Sequence, residues 1–327
     1  MKKLLFGAFA LGLLSACNTT TESTENLTDN VATSVASRKS CPSEEIRANL
    51  LANDADAKAR YLALENGTEK FIQARKAGRV LADGTVEIPV VFNVLYRTSA
   101  ENISDARLAE QIAVLNADYA GTNTDVSKTP SEFSTVAAGD TKVRFRLVKT
   151  VRKSTTVRSW KTNDAMKKAS TKGIDATDPT QYFNIWVVGD MGSILGYATF
   201  PESAGQWNDG VVLASKYTGV TGATAPYNLG RTATHEVGHY LNLRHIWGDA
   251  TCGNDLVSDT PTHNAENYGV PAYPHYSTCT GTPVEMTMNY MDYTDDRGMF
   301  MFMFTNGQKS RMTALFVSGG ARASFGI

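Results

Sequence analysis

Eleven residues decide the fold of this chain: His235-Glu236-Val237-Gly238-His239-Tyr240-Leu241-Asn242-Leu243-Arg244-His245. His235 and His239 are four residues apart, so on a helix they lie on one face, one turn apart, and both imidazoles can reach one metal ion. Glu236 lies on the same turn without being a ligand, where it can take a proton from a water molecule that the metal activates. The pattern therefore predicts a zinc-binding helix that carries its own general base.

A third histidine, His245, follows His239 by six residues, and a straight helix would place it on the wrong face. The chain must turn sharply between them, and Asn242 lies where the turn is needed, since Asn enters the left-handed region at low cost. Three ligands leave a fourth position open for water, which is the catalytic pattern of zinc. The alternative is a core helix with hydrogen-bonded histidines, but it leaves the adjoining Glu236 unexplained.

The composition of the 327-residue chain is that of a globular protein, with 42% hydrophobic and 20% charged residues. Such a chain can bury a sizeable core in one or two domains. The net charge is −1 and no basic block occurs, so nucleic acid is not an expected partner. We expect a monomer that acts on protein or peptide substrates.

The N-terminus has the features of a bacterial export signal. Met1-Lys2-Lys3 precedes an apolar run from Leu4 to Leu14, which is typical of a secretory signal and not of a transmembrane helix. Leu14-Ser15-Ala16-Cys17 resembles a lipobox, which predicts a lipoprotein signal peptide over residues 1–16 and lipid on Cys17. The alternative is an ordinary signal peptide with a chance cysteine. The lipid would anchor the chain to the membrane.

Residues 17–40 are rich in small polar side chains and are expected to form a flexible tether. Two helical patterns follow, over residues 43–64 and 68–78. With the lipid anchor, these features predict an exported bacterial lipoprotein of the cell envelope or outer surface, or an extracellular form released from it.

The four cysteines cannot all pair if Cys17 carries lipid. Cys252 and Cys279 flank one loop-rich region and are the natural disulfide, which would stabilise the fold by roughly 3–4 kcal/mol. Cys41 is then an odd thiol in an oxidising compartment. A thiolate upstream of a zinc protease domain can occupy the open zinc position. We therefore expect residues 41–80 to form an inhibitory prosegment, removed by cleavage between about Arg60 and Arg79; the alternative is a free or intermolecular cysteine.

The catalytic domain is expected over residues 81–327, with strands and helices ahead of the zinc helix and loops after it. The runs that predict strands are 85–97, 143–148, 182–188, 196–200 and 211–214. The helical patterns are 104–120, the zinc helix at about 228–243, and 306–317. The run 196–200 is expected to be an edge strand, which can hold an extended peptide. The predicted class is α+β: a mixed sheet with two long helices in an upper lobe (about 81–245), and a loop-rich lower lobe (about 246–327) with a C-terminal helix.

Two stretches of the lower lobe carry further candidate residues. Asp255 to Pro261 (DLVSDTP) is dense in oxygen ligands, which suits a structural calcium ion, although an Asx-type turn explains the same residues. Met286 to Tyr293 (MTMNYMDY) offers Met291 as a polarizable apolar floor beneath the three imidazoles. Tyr293, two residues on, could stabilise the oxyanion. The alternative is that these methionines are only core residues.

Taken together, the zinc motif and the N-Y-M-D-Y turn resemble the metzincin clan of zinc endopeptidases. The stretches HEVGHYLNLRH, ILGYATFP, VSDTP and MNYMDY resemble the pappalysin family in particular, over about residues 85–310. The resemblance implies a metzincin-like, two-lobed fold and one catalytic zinc ion. For the site it implies His235, His239 and His245 as ligands, Glu236 as general base, Met291 as the Met-turn methionine and Tyr293 as oxyanion helper. It further implies calcium near Asp255, Val257 and Thr260, and a cysteine-switch prosegment, matched here by Cys41.

Three features depart from the family pattern. The usual glycine of the motif is Asn242 here, and a second disulfide is absent. Arginine-specific relatives carry an acidic residue and then a cysteine where this chain has Arg297 and Gly298. An arginine at that position should disfavour a basic P1′ side chain, so Arg297 is the predicted specificity residue.

The predicted function is that of a secreted, lipid-anchored zinc metalloendopeptidase made as a latent zymogen. It would hydrolyse peptide bonds with zinc-activated water and Glu236 as general base. Two alternatives remain. One is a non-catalytic, zinc-containing, surface-binding lipoprotein, against which the intact Glu236 argues. The other is a metal-dependent amidase of cell-wall peptides, which differs only in substrate.

Overall fold

The structure, a computed structural model, describes residues 41–76, 84–295 and 301–325, with the side chains of residues 74–76 excepted. The predicted signal peptide, the tether, Cys17, Arg79 and Arg297 lie outside the described residues. Among the helices it describes, none combines the length and the apolar character that crossing a bilayer would require.

A five-stranded sheet forms the frame of the upper lobe. Its strands are β1 (Val86–Tyr96), β2 (Val143–Ser154), β3 (Phe183–Val188), β4 (Gly196–Ala198) and β5 (Val211–Ala214). The order is β2-β1-β3-β5-β4, and all pairs are parallel except β4 with β5. Since β4 pairs on one side only, it is the edge strand that the sequence predicts. The long β2 exceeds its predicted run because it pairs with β1 along the whole of that strand.

Two helices of the upper lobe pack on each other across the sheet face. Helix α3 (Asp105–Ala120) begins after Ser104, whose side chain accepts a hydrogen bond from the backbone N–H of Arg107, as an N-cap does. Helix α4 (Arg231–Tyr240) carries the zinc motif and is buried along its whole length. It begins later than the pattern predicts because Gly230, with φ of 79°, is not helical.

Two helices precede β1: α1 (Ser43–Asn53) and α2 (Ala55–Lys76). The predicted helical patterns at 43–64 and 68–78 place the boundary between the helices wrongly. The boundary lies at Asp54, which has an extended backbone and whose carboxylate caps α2 by accepting a hydrogen bond from the N–H of Ala57. Gly67 stays inside α2. The two helices form a short hairpin that packs on the upper lobe next to β4.

The lower lobe is mostly loops. It contains a short parallel pair, β6 (Tyr268–Gly269) and β7 (Tyr293–Thr294), and helix α5 (Asn306–Thr313). Helix α5 begins with a capping box between Thr305 and Gln308 and ends before the predicted residue 317. The predicted disulfide between Cys252 and Cys279 is present and closes a loop across 27 positions. In this lobe, which has little regular structure, that bond restricts the unfolded chain.

Candidate metal centre and active site

Three imidazoles and one thiol converge between the lobes. The donor atoms of Cys41, His235, His239 and His245 all lie within 4.8 Å of one another and are buried. The Nε2 atom of His239 lies 3.2 Å from that of His235 and 3.1 Å from that of His245. Among the residues described, His263 and His275 lie outside this cluster; His263 is buried and accepts a hydrogen bond from the N–H of Met286.

The hydrogen bonds of the three rings fix which nitrogen faces the centre. Each ring donates from Nδ1: His235 to the carbonyl of Tyr290 at 2.7 Å, and His239 to the carbonyl of Leu243 at 2.8 Å. His245 donates to Asp249 Oδ1 at 2.6 Å. A neutral ring that donates from Nδ1 carries its lone pair on Nε2, so three neutral rings place three lone pairs at the centre, and these would repel one another without a cation among them.

The donor set fits zinc. Two imidazole nitrogens bound tetrahedrally at about 2.0–2.1 Å are about 3.3–3.4 Å apart, close to the separations observed here. Three histidines and one cysteine are ligands that zinc prefers. Burial lowers the pKa of His235 to about 3 and also lowers the pKa of His239, so both rings are neutral, as metal binding requires.

The turn that brings His245 back to the centre lies at Asn242, whose φ is 74°. The backbone carbonyl of Asn242 accepts a hydrogen bond from Arg311 Nε at 2.7 Å, which ties the turn to α5. Asn242 is fully buried, and neither of its side-chain polar atoms has a hydrogen-bond partner among the described residues. The asparagine thus satisfies the backbone requirement of the turn but not its own side chain.

Met291 packs directly beneath α4. A Cβ atom added to Gly238 would lie 2.4 Å from the Sδ atom of Met291, well inside van der Waals contact. The turn that carries Met291 is held by Asn289, whose side-chain amide exchanges two hydrogen bonds of 2.9 Å with that of Gln308 in α5. The glycine between the two histidines is therefore required by the close approach of the Met291 side chain.

Replacing Gly238 by Ala should destabilise the full-length chain by about 1–3 kcal/mol, because the new methyl group overlaps the Met291 side chain, which must leave its packed position beneath the helix. Urea unfolding measures the effect. The matched control is Gly67→Ala, also in a helix, whose Cβ would meet nothing within 4 Å; we expect it to be neutral or stabilising by up to about 1 kcal/mol. A Gly238→Ala chain as stable as the wild type would contradict this account of the Met-turn.

Glu236 lies beside the centre and is contacted by two residues that precede α1 or begin it, Cys41 and Ser43. Its Oε2 atom lies 3.3 Å from the Sγ of Cys41 and accepts a hydrogen bond of 3.1 Å from the hydroxyl of Ser43. Burial raises the pKa of Glu236 to about 8, although the hydrogen bonds from Cys41 and Ser43 act in the other direction. Burial, and next the charge of Glu236, also raise the pKa of the Cys41 thiol.

The Tyr293 hydroxyl reaches the same point from the lower lobe. It donates a hydrogen bond to the backbone carbonyl of Cys41 and lies 3.1 Å from His245 Nε2. A tyrosine that donates to a carbonyl oxygen at this position can do the same for the carbonyl of a peptide substrate.

The stretch predicted to bind calcium folds into a tight loop. The Thr260 hydroxyl lies 3.0 Å from both carboxylate oxygens of Asp255 and 2.9 Å from the carbonyl oxygen of Val257. Burial raises the pKa of Asp255 to about 7. The second acidic residue of the stretch, Asp259, is engaged elsewhere: its carboxylate accepts hydrogen bonds from Thr305 and from the N–H of Gly307, at the start of α5.

A pocket borders His235 and Glu236 on the side toward the lower lobe. Its apolar wall includes Leu195, Tyr227 and Met301. Arg297, the predicted specificity residue, precedes Met301 in a stretch outside the described residues.

Several residues that act on the centre are not predicted from the sequence. Asp249 and the carbonyl of Leu243 each orient a ring four residues away, whereas the carbonyl of Tyr290 orients His235 across 55 positions. Ser43 contacts Glu236 across 193 positions. The available signal for Ser43 is its position, two residues after the unpaired Cys41; no sequence pattern indicates the backbone carbonyls.

Comparison with known proteins gives concordant matches. A family model described as pregnancy-associated plasma protein-A, of the M43 peptidases, matches residues 168–317. Extracellular metalloprotease 1 of Coccidioides posadasii is 35% identical over 244 residues, which cover 71% of this chain and 77% of that protein. An extracellular metalloprotease of Uncinocarpus reesii is 33% identical over 256 residues, covering 74% and 81%.

Two solved structures extend the likeness to the fold. Mature mirolysin of Tannerella forsythia, in complex with a cleaved peptide, matches with a TM-score of 0.71 and 40% identity over 75% of this chain and 97% of that one. A promirolysin mutant of the same organism matches with a TM-score of 0.79 and 37% identity over 88% of this chain and 97% of that one. The match to the proform covers more of this chain than the match to the mature form.

Proposed function

The chain belongs to the pappalysin family of metzincin zinc metalloproteases, and from that premise we propose that it is a secreted, lipid-anchored endopeptidase made as a latent zymogen, with Glu236 as general base. One observation carries the proposal. Three unprotonated Nε2 atoms converge beside the Glu236 carboxylate, and the Cys41 thiol of the preceding segment lies at the same point. The first arrangement is that of a hydrolytic zinc site, and the second is that of an inhibitor bound to it.

We assign the zinc ligands to His235, His239 and His245. Zinc in this site would supply Lewis-acid chemistry, acidifying a water molecule and polarising the scissile carbonyl. Glu236 Oε2 takes the proton of the attacking water and then passes it to the nitrogen of the leaving amine. Tyr293 donates a hydrogen bond from its hydroxyl to the developing oxyanion and keeps its proton, in the position where it now donates to the Cys41 carbonyl.

The remaining residues keep this arrangement in place. The Nδ1 bonds to Tyr290, Leu243 and Asp249 hold the ligand rings in one tautomer and one orientation. Met291 packs against the glycine between the two histidines and closes the site from below. Such support from outside the ligand set is what keeps a metal site in productive geometry.

In the zymogen, the prosegment covers both the metal centre and the general base. Cys41 supplies the fourth donor, and Ser43 occupies a carboxylate oxygen of Glu236. The larger coverage of this chain by promirolysin than by mature mirolysin is consistent with a prosegment ahead of the catalytic domain. The proposed organisation is signal peptide 1–16, tether 17–40, prosegment 41–80 and catalytic domain 81–327, with its lobes dividing near residue 245.

Activation requires a cut between the prosegment and β1. Arg60 is a poor site, because it lies within α2 and its Nε donates to the backbone carbonyl of Glu202 at 2.8 Å. Basic positions at the end of α2 or beyond it, such as Arg79, are better candidates. Mass spectrometry of the new N-terminus after activation tests this, and a mature chain that begins within residues 41–60 would exclude it.

The test of the function is hydrolysis of casein by the processed chain. We expect cleavage that stops on addition of a zinc chelator, and no cleavage by the full-length chain under the same conditions. A processed, folded chain that retains zinc but cleaves neither casein nor short peptides would instead support the surface-binding lipoprotein. Cleavage confined to cell-wall peptides would support the amidase.

Three finer assignments accompany the proposal. We place a structural calcium ion at Asp255, Val257 and Thr260, whose oxygens already converge; calcium should raise the melting temperature of the wild type but not of an Asp255→Ala chain.

We place lipid on Cys17, which mass spectrometry of the membrane fraction would detect or exclude. We also propose that Arg297 disfavours a basic P1′ side chain in the substrate. Replacing Arg297 by Ala should then increase cleavage of peptides that carry a basic residue at P1′.

A further inference from the structure

Arg47 of helix α1 inserts its side chain into a slot on the catalytic domain. The side chain is 3% exposed, and its Nε donates a hydrogen bond of 3.0 Å to Glu202 Oε1. The guanidinium carbon lies 4.0 Å above the centre of the Phe200 ring, and the ring of Tyr61 in α2 lies 4.7 Å away. A carboxylate beside an aromatic face is the environment in which proteins bind a guanidinium group.

Half of this slot belongs to the catalytic domain and half to the prosegment. Phe200 follows β4, and Glu202 lies in the short 3-10 turn Pro201–Ser203. Arg47 and Tyr61 would leave with the prosegment. Glu202 would then lose its ion pair with Arg47, and its Oε2 atom has no hydrogen-bond partner among the described residues even in the present form.

Arg322 of the catalytic domain interacts electrostatically with Glu202, but its guanidinium is committed to another carboxylate and does not replace Arg47. Arg322 is fully buried, and its guanidinium forms two hydrogen bonds of 2.9 Å with the Asp209 carboxylate and stacks on the Tyr240 ring at 3.3 Å. Arg60 contacts Glu202 through the backbone carbonyl, and it too belongs to the prosegment. Loss of the prosegment therefore leaves an acidic, aromatic recess open for another cation.

The recess lies beside the path of an extended peptide. Ser43, one helical turn before Arg47, accepts a hydrogen bond of 2.9 Å from the backbone N–H of Ala198 in the edge strand β4. A substrate that pairs with β4 would use that same N–H. At the other side, the Phe200 ring lies 5.0 Å from the ring of His239, so the recess is next to the metal centre.

We propose that Phe200 and Glu202 form a substrate subsite that binds an arginine side chain, and that Arg47 occupies this subsite in the zymogen. The inference rests on the proposed peptidase function and adds a substrate preference to it. The subsite is separate from the pocket lined by Leu195 and Met301, so it selects a residue at a position other than P1′. Arginine is preferred over lysine because its planar group stacks on Phe200 while its N–H groups reach the carboxylate.

The experiment digests a peptide library with the processed chain and counts residues at each position around the cut by mass spectrometry. With the wild type, we expect arginine to be enriched by about tenfold at one position other than P1′. With Glu202→Gln we expect that enrichment to fall toward one, because the neutral amide cannot pair with a guanidinium. The matched control is Glu266→Gln, which removes a carboxylate from a different pocket, one that Phe200 and Glu202 do not line, and which should keep the enrichment.

The outcomes separate the subsite from the function. Failure of the wild type to cut any peptide would refute the peptidase function itself. Active wild type without arginine enrichment, or enrichment that survives in Glu202→Gln, would overturn the subsite, as would equal loss in the Glu266→Gln control. The single variant Glu202→Gln could fail to fold because it leaves the buried Arg47 without its partner. In that case the double variant Arg47→Gln, Glu202→Gln removes both charges. Processing then removes position 47, so the mature chain carries only Glu202→Gln.

Discussion

Replacing Glu236 by Gln should lower kcat/KM of the processed chain by about 10³-fold or more while one zinc ion per chain stays bound. Glutamine has the shape of glutamate but cannot accept the proton of the attacking water, and general acid–base catalysis contributes about 10²–10⁴-fold in hydrolases of this kind. Glu236 is not among the converging donor atoms, whereas the three Nε2 atoms that would bind the metal are unchanged. Peptide hydrolysis and zinc analysis of the same sample measure the two effects.

Two conditions make this result interpretable. Wild type and variant must be processed by the same added protease, because a chain without activity cannot process itself. Glu266→Gln serves as the control, since it removes a carboxylate from the same cleft but away from the His235 turn. A Glu236→Gln chain whose activity stays within about tenfold of the wild type would remove the general base from the mechanism.

Replacing Cys41 by Ala should raise the activity of the unprocessed, full-length chain by about tenfold or more. The thiol supplies the fourth donor at the centre, so its loss should increase the fraction of chains whose metal centre is free to bind water. A tenfold increase in that fraction corresponds to a free-energy change of about 1.4 kcal/mol. The contacts of Arg47 and Ser43 would remain, so the prosegment would still block part of the cleft. The measurement is peptide hydrolysis by chains that gel electrophoresis shows to be uncut.

Ser43→Ala is the comparison for this prediction. It keeps the thiol but loses the hydrogen bonds with Glu236 and with the N–H of Ala198, so we expect a smaller rise in activity. After processing, both variants should match the wild type, because position 43 and position 41 have then been removed. A full-length Cys41→Ala chain as silent as the wild type would show that the thiol does not maintain latency.

The parts of the fold that could be predicted are those written locally in the sequence. Four-residue spacing predicts the zinc helix, and alternating or apolar runs predict the strands, including the edge strand at 196–200. The disulfide of Cys252 with Cys279 followed from a count of cysteines and is present. The predicted helix boundaries are less accurate where a capping residue determines them. At Asp54, one side-chain hydrogen bond fixes where α2 begins, and the spacing of apolar residues does not indicate that position.

The parts that could not be predicted are contacts between distant residues. Ser43 reaches Glu236 across 193 positions, and Arg47 reaches Glu202 across 155. No period or spacing encodes such pairs, because they arise only when the prosegment packs on β4. The ring orientation at the centre likewise depends on the carbonyl of Tyr290, which any residue type could supply.

The central claim is that peptide hydrolysis requires one zinc ion at the three histidines, acting together with Glu236. The direct measurement strips the processed wild-type chain with a chelator, removes the chelator, and follows peptide hydrolysis as zinc is added back. We predict that activity is lost on stripping, returns in proportion to added zinc, and reaches its maximum at one zinc per chain. Activity that survives stripping, or that does not return while the chain remains folded and zinc binds, would contradict the account.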